Sequence, residues 1–153
     1  MIKPTMFSTA CFMLCFIISS GSHAECTINS KFHNGNVLST IFREKGYELK
    51  NYESICQKLK KANVGLKINT QSMITTEQTT AAVMVRLYPI ELAQKYDLLL
   101  STSSSSTGMN ANSDKTSSSA KYLEYTTLMG AIENADFDTM TSEVNQIRNL
   151  VNP

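Results

Sequence analysis

A single histidine, His33, would have to serve any Ser–His–Asp or Cys–His catalytic arrangement beyond residue 24. No serine lies in a Gly-x-Ser-x-Gly turn, which exposes the nucleophile in many hydrolases. His33 belongs to a polar stretch, residues 31–36, ahead of a predicted helix. We therefore interpret it as a solvent-exposed side chain near a helix start, and we assign no catalytic residue.

Paired carboxylates are the other candidates for hydrolysis, since glycosidases and aspartic proteases position two acids at one site. The pairs that the sequence offers are Glu44 with Glu48, Glu124 with Glu133, and Asp136 with Asp138. The last pair lies where a helix is predicted to begin, and a carboxylate there stabilises the helix dipole. This structural role accounts for the two aspartates without catalysis.

The residue types that could bind a metal ion or a cofactor are too few or too scattered in the sequence. We therefore expect no metal site and no cofactor. The five glycines beyond residue 24 form no phosphate-binding loop. Two cysteines and one histidine are too few soft ligands for a zinc site. Asp97 and Asp114 flank a serine-rich segment without the spacing of a calcium loop.

Charge is concentrated in one cluster, which is the predicted partner surface: Lys58, Lys60, Lys61 and Lys67. The cluster could contact an acidic partner or an anionic lipid headgroup. The alternative is a solvated helix end, because three of these lysines fall where the helix dipole favours cations.

The overall charge balance argues against nucleic acid as a partner. The 153 residues include 14 Lys+Arg and 13 Asp+Glu, a formal net charge of +1. Removing 24 residues, which contain Lys3 and no acid, leaves 129 with 13 of each sign. A protein that displaces counterions from phosphate needs a basic excess instead.

Residues 1–24 are expected to be a cleaved export signal. Lys3 supplies a positive start, residues 10–18 are an apolar run, and Ser22 and Ala24 suit a cleavage site. A membrane span would need about 20 apolar residues. We therefore expect a periplasmic or secreted protein with no integral membrane span after cleavage.

Cys26 and Cys56 are the two cysteines of the predicted mature chain, and an oxidising compartment would join them. A redox site usually has a close Cys-x-x-Cys pair, which this chain lacks. The prediction is one structural disulfide that tethers the N-terminus to the second helix.

The spacing of apolar residues predicts the element order α-α-β-β-β-α-α. Helices are predicted over 36–45, ended by Gly46, and over 51–62, capped by Asn51. Two strands with apolar alternation follow, at 64–69 and at 81–88, the second ended by Pro89. A third strand is predicted at 97–103.

Residues 101–119 include nine serines. One interpretation is a flexible loop, and the other is that residues 98–107 stay extended as a strand whose outer half is polar. We favour a strand that fades into a flexible loop. A third helix, capped by residues 117–119, runs to Asn134. A fourth opens at Asp136 or Asp138 and reaches Val151.

The sequence thus predicts an α+β domain over residues 25–153. Its small antiparallel β-meander is covered on one face by the N-terminal and C-terminal helix pairs. If the third strand lies at the sheet edge, it could accept a partner's strand.

The first functional hypothesis is an exported, non-catalytic protein that binds another protein, as an envelope accessory, inhibitor or immunity-type factor. Two alternatives stay open. One is a hydrolase of cell wall or glycan that acts through acidic residues. The other is a small-ligand binder lined by Tyr88, Tyr122 and Tyr125.

Overall fold

The computed structural model describes residues 26–33, 38–93, 95, 100–110 and 115–151. The predicted export signal, the N-terminal end of the first predicted helix and residues 97–99 of the predicted third strand lie outside these ranges. The described part of the chain has an α+β fold with a four-stranded mixed sheet and four α-helices.

The strands are β1 (Ser30–His33), β2 (Val64–Ile74), β3 (Thr79–Pro89) and β4 (Ser103–Asn110). The helices are α1 (Leu38–Lys45), α2 (Tyr52–Lys61), α3 (Ser117–Glu133) and α4 (Phe137–Val151), and a 3-10 turn (Ile90–Leu92) follows β3. The strands lie side by side in the order β1-β2-β3-β4. β2, β3 and β4 pair antiparallel, as predicted, whereas β1 pairs parallel with β2.

The predicted three-stranded meander is wrong in strand number, because the sheet has a fourth strand, β1, that was not predicted. This strand precedes both N-terminal helices. It places Ser30 opposite Leu66 and His33 opposite Asn69. Phe32 is its single large apolar residue, so a four-residue strand gives no readable alternation. Its partner is more than 30 residues away, reached through α1 and α2, as parallel pairing requires.

The last strand also departs from the prediction, since β4 lies inside the serine-rich segment rather than at 97–103. The serines suit this position because small side chains let α3 pack closely on the strand. The Ser104 hydroxyl donates to the carbonyl oxygen of Ala131 on α3, at 3.1 Å. At the preceding turn, the amide and hydroxyl of Thr102 both donate to Glu143 on α4, at 2.7 and 2.8 Å. Flexibility of the segment as a whole stays a prediction.

The helix ends follow local chemistry, with two differences from the prediction. Gly46 ends α1 with a left-handed φ of +66°, which glycine adopts without strain. Asp136 caps α4 by accepting the amide of Thr139, at 3.1 Å. Asn51 precedes α2 without a capping side-chain bond. The cap of α3 is Thr116 rather than residues 117–119, and it accepts the Ser119 amide at 3.2 Å.

One buried cluster joins the sheet to all four helices. It contains inward-facing residues of β2 and β3, such as Leu66, Ile68 and Val85, each fully buried. Every described helix contributes to the same cluster, for example Leu38 of α1 and Val144 of α4. The helices therefore cover one face of the sheet, the inner face, as expected.

The predicted disulfide is confirmed: Cys26 and Cys56 are joined, and both are almost fully buried. Cys56 lies on α2, and Cys26 lies four residues before β1. The hydroxyl of Tyr52 donates to the Cys26 carbonyl oxygen at 2.8 Å, which holds the same junction. The bond thus fixes the segment that leads into the parallel edge strand.

Alkaline pH is expected to destabilise the fold through Tyr47, which packs edge-on against Phe42 with ring centroids 4.7 Å apart. Burial raises the pKa of Tyr47 from 10.0 to about 12. The folded state therefore favours the neutral phenol. Its contribution is complete below pH 10 and is lost as the pH rises towards 12. At pH 11 the loss should be about 1 kcal/mol.

Urea unfolding of the wild type and Tyr47→Phe at pH 9 and pH 11 would measure this loss. The variant should lose less stability between the two pH values. Tyr122→Phe, whose ring is 51% exposed, serves as the matched control. Equal losses in all three proteins would contradict the assignment to Tyr47.

Candidate functional site

The side of the sheet opposite the helices is not covered by any described helix. Its side chains alternate along each strand with the buried ones. We call this surface the outer face; its positions are Lys31, His33, Gly65, Lys67, Asn69, Gln71, Met73, Thr80, Ala82, Met84, Arg86, Tyr88, Ser103, Ser105, Thr107 and Met109. None of these strand positions carries Asp or Glu.

Three cations lie in one row across this face. Lys31 is opposite Lys67, Lys67 is opposite Arg86, and Arg86 is opposite Ser103. We call Lys31, Lys67 and Arg86 the cation row. Adjacent strands are about 4.8 Å apart, so the row spans about 10 Å. Like charges at directly paired positions repel each other.

Neighbouring residues restrict the side-chain positions of Lys31 and Arg86 in the cation row. The Lys31 ammonium lies over the ring of Tyr88, 4.9 Å from its centroid, as a cation–π pair does. Gly65, opposite Tyr88, gives this ring room, since a Cβ there would lie 2.5 Å from ring atom Cζ. Arg86 is half-buried, and its buried Nε has no hydrogen-bond partner in the described part of the chain.

Amides, hydroxyls and one imidazole line a shallow depression of about 400 Å³ on the neighbouring rows of the outer face. Its outward-facing lining is His33, Asn69, Gln71, Ala82, Met84, Ser105 and Thr107. The side-chain oxygen Oδ1 of Asn69 is buried and lacks a hydrogen-bond partner among the described residues. The depression thus offers uncharged hydrogen-bonding groups beside the cation row.

The opposite end of the outer face is apolar. Met73 and Met109 are 57% and 65% exposed, and both lie opposite Thr80. Flexible, polarisable methionine side chains adapt to varied partner shapes, so this end suits an apolar contact.

The structure divides the predicted lysine cluster between two sides of the molecule. Lys58, Lys60 and Lys61 lie on α2, whereas Lys67 belongs to the outer face. Lys58 forms an ion pair with Asp138 of α4, at 2.9 Å. Lys58 and Lys61 also border a groove of about 630 Å³ between α2 and α4. Lys67 therefore joins Lys31 and Arg86, which were not predicted as partner residues.

The candidate acid pairs are held in structural contacts. Glu124 is 2% exposed and accepts hydrogen bonds from Thr70, at 2.9 Å, and Lys121, at 3.3 Å. Glu133 is nine residues further along α3, about 13 Å along the helix axis, and accepts the Lys50 amide at 2.9 Å. Thr139 donates to Asp136 and lowers the pKa of that carboxyl. Asp138 is the partner of Lys58 described above.

The other residues that the sequence offered as candidates, one histidine, one glutamate pair and three tyrosines, do not come together in one site. His33 is exposed on the outer face, at the end of β1 and five residues before α1. Glu44 and Glu48 are exposed near the end of α1, and Glu48 lies 3.6 Å from the Lys45 ammonium. Tyr88 is on the outer face, whereas Tyr125 is buried on the helix side with Tyr122 stacked on it. These tyrosines therefore do not line one pocket.

Two further properties concern the described residues alone. No group of three or more His, Cys, Asp or Glu side chains there is placed to hold a metal ion. None of the described helices has the length and apolar character to cross a membrane.

Comparison with known proteins gives no match: no family model, curated protein or solved structure is significantly similar to this chain.

Proposed function

We propose that the protein is an exported, non-catalytic binding module that recognises another protein through the outer face. One observation carries the proposal. All four described helices pack on the inner face, so none of them covers the outer face of the four strands, which has distinct chemistry at each end.

The size of the outer face favours a protein over a small molecule as partner. Lys67 and Met73 are six residues apart on β2, which is about 20 Å along the strand. A protein surface can contact both ends together, whereas a small ligand fills a concave pocket.

Export is part of the proposal and rests on the predicted signal at residues 1–24 together with the disulfide. Disulfides persist in oxidising compartments such as the periplasm or the exterior of the cell. A small, stapled module there suits the role of an envelope accessory, an inhibitor or an immunity-type factor.

A photocrosslinking amino acid at Ala82 would test the proposed surface. Ala82 is exposed near the centre of the outer face, and Gln146 is exposed on α4 as the matched control. In cells of the source organism, we expect the Ala82 probe to trap a discrete partner protein and the Gln146 probe not to trap it. Crosslinks to that partner from Gln146 alone, or from neither position, would contradict the proposal.

A further inference from the structure

We propose that β4 pairs with β4 of a second copy of this chain, antiparallel about a two-fold axis, so that two four-stranded sheets join into one sheet. The inference goes beyond the proposed function, because it concerns an edge of the sheet rather than its outer face. An edge strand displays a row of backbone N–H and C=O groups that no neighbouring strand of its own sheet uses.

The two edges of the described sheet differ in their protection against such pairing. Natural edge strands are kept apart by short length, by charged side chains, above all lysine, by proline or by bulges. β1, at one edge, is four residues long and carries Lys31. β4, at the other edge, has eight residues, none of them charged and none proline. Each pairs with one residue of β3, without a bulge, so β4 is a regular and unprotected edge.

The backbone of β4 has its described partners on one side only. Residues 103–109 form no backbone hydrogen bond with a described residue outside β3. The helix α3 packs on the inner face of the strand, over Ser104 and Gly108, rather than beside it. The four side chains on the outer face are all exposed: Ser103, Ser105, Thr107 and Met109. A further strand therefore has backbone groups to pair with and no described helix above it on the outer face.

The side chains of β4 are compatible with a second copy of the same strand. With the axis at Ser106, Ser105 lies opposite Thr107 of the second copy, a pair that stabilises antiparallel sheets. Ser103 lies opposite Met109 of the second copy, so the longest side chain of the strand meets a small one. No pair in this register brings like charges together. Two-fold dimers are also the commonest oligomers of soluble proteins.

The charges beside the two ends of β4 have opposite signs, which favours the antiparallel arrangement. At the start of the strand, Glu143 of α4 accepts hydrogen bonds from the amide and hydroxyl of Thr102. Past its end, the exposed Lys115 follows Asn110 by five residues. Antiparallel pairing sets the start of one strand beside the end of the other, and thus brings Glu143 of each copy towards Lys115 of the other. A second copy therefore supplies a neutral strand of equal length together with complementary charges.

Sedimentation velocity of the disulfide-bonded protein over a dilution series would test the pairing. We expect a monomer–dimer equilibrium with a dissociation constant of about 100 µM or tighter. Ser105→Lys together with Thr107→Lys sets lysines directly opposite each other across the axis, and this double variant should dimerise about tenfold or more weakly. Gln146→Lys together with Asn149→Lys, an equal charge change at exposed positions of α4, should leave the dissociation constant unchanged.

Charge reversal provides a second test that a folding defect cannot imitate. Ser105→Glu together with Thr107→Glu should also weaken self-association. An equimolar mixture of the lysine and glutamate double variants should instead form heterodimers, because each lysine then lies opposite a glutamate. Native mass spectrometry would distinguish the heterodimer from the two homodimers.

Four outcomes would overturn the inference. They are a wild type that stays monomeric at about 300 µM, equal weakening by the β4 and α4 lysine variants, a dimer that neither variant weakens, and a mixture without heterodimers. Amide exchange tests the wild type without any substitution. Amides of β4 should exchange more slowly at high than at low protein concentration, and equal exchange at both concentrations would contradict pairing at this edge.

Discussion

Replacing Cys26 and Cys56 together with alanine is expected to lower the free energy of unfolding by roughly 3–4 kcal/mol. The bond closes a loop with a sequence separation of 30 residues and thereby restricts the unfolded chain. For a chain of this size, the midpoint of thermal unfolding should fall by on the order of 10 °C or more. Alanine is chosen because both positions are buried, where a serine hydroxyl would add a desolvation cost.

Loss of the disulfide should also have a local effect on the structure. Because Cys26 lies just before β1, loss of the bond should loosen this short edge strand first. Calorimetry would give the global change, and amide exchange in β1 and β2 would give the local change. The reduced wild-type protein is the control and should match the double variant. An unfolding transition unaffected by reduction or by the double substitution would refute the stabilising role.

Replacing Gly108 with alanine is expected to destabilise the protein by roughly 1–3 kcal/mol. Gly108 lies on β4 where α3 packs against the strand, and an added Cβ would overlap the hydroxyl oxygen of Thr127. Its Cβ would also approach a methyl carbon of Leu123 to 3.2 Å. Thr127 is only 7% exposed, so its side chain has little room to turn away.

Gly130 of α3 provides the matched control, since a Cβ there would meet no atom within 4 Å. Gly130→Ala should stabilise the protein by about 0.5–1 kcal/mol, because glycine is a poor helix former. Adding Thr127→Ala to Gly108→Ala should restore part of the lost stability. Urea unfolding of these variants is the measurement. If Gly108→Ala and Gly130→Ala change stability equally, close packing of α3 on β4 is not what requires Gly108.

Local sequence patterns were sufficient to predict those helices, strands and helix ends whose stabilising residues are close together in the sequence. The change from helical spacing in α2 to alternation in β2 predicted both, and Pro89 correctly marked the end of β3. Gly46 and Asp136 identified two helix boundaries because capping depends on a few neighbouring residues. The disulfide was predicted from the even count of cysteines beyond residue 24 and from their 30-residue separation.

Elements that depend on distant partners could not be predicted in this way. β1 has four residues and one large apolar side chain, and it pairs with a strand beyond two helices. β4 has the composition of a loop, yet β3 pairs with its backbone and α3 accepts a hydrogen bond from Ser104, while α4 holds the preceding residue, Thr102. Neither strand has a local pattern that separates it from irregular chain, because its stability comes from tertiary contacts.

The candidate site also depends partly on local sequence patterns and partly on pairing between distant strands. Alternation in β3 already directed Arg86 away from the core, and the charge cluster drew attention to Lys67. Lys31 joins them only through the parallel pairing of β1 with β2, and the register sets the three cations in one row. Sequence therefore identified the cysteine pair, most helices and the two central strands. Which cations meet, and which face stays open, depends on strand pairing between residues far apart in the chain.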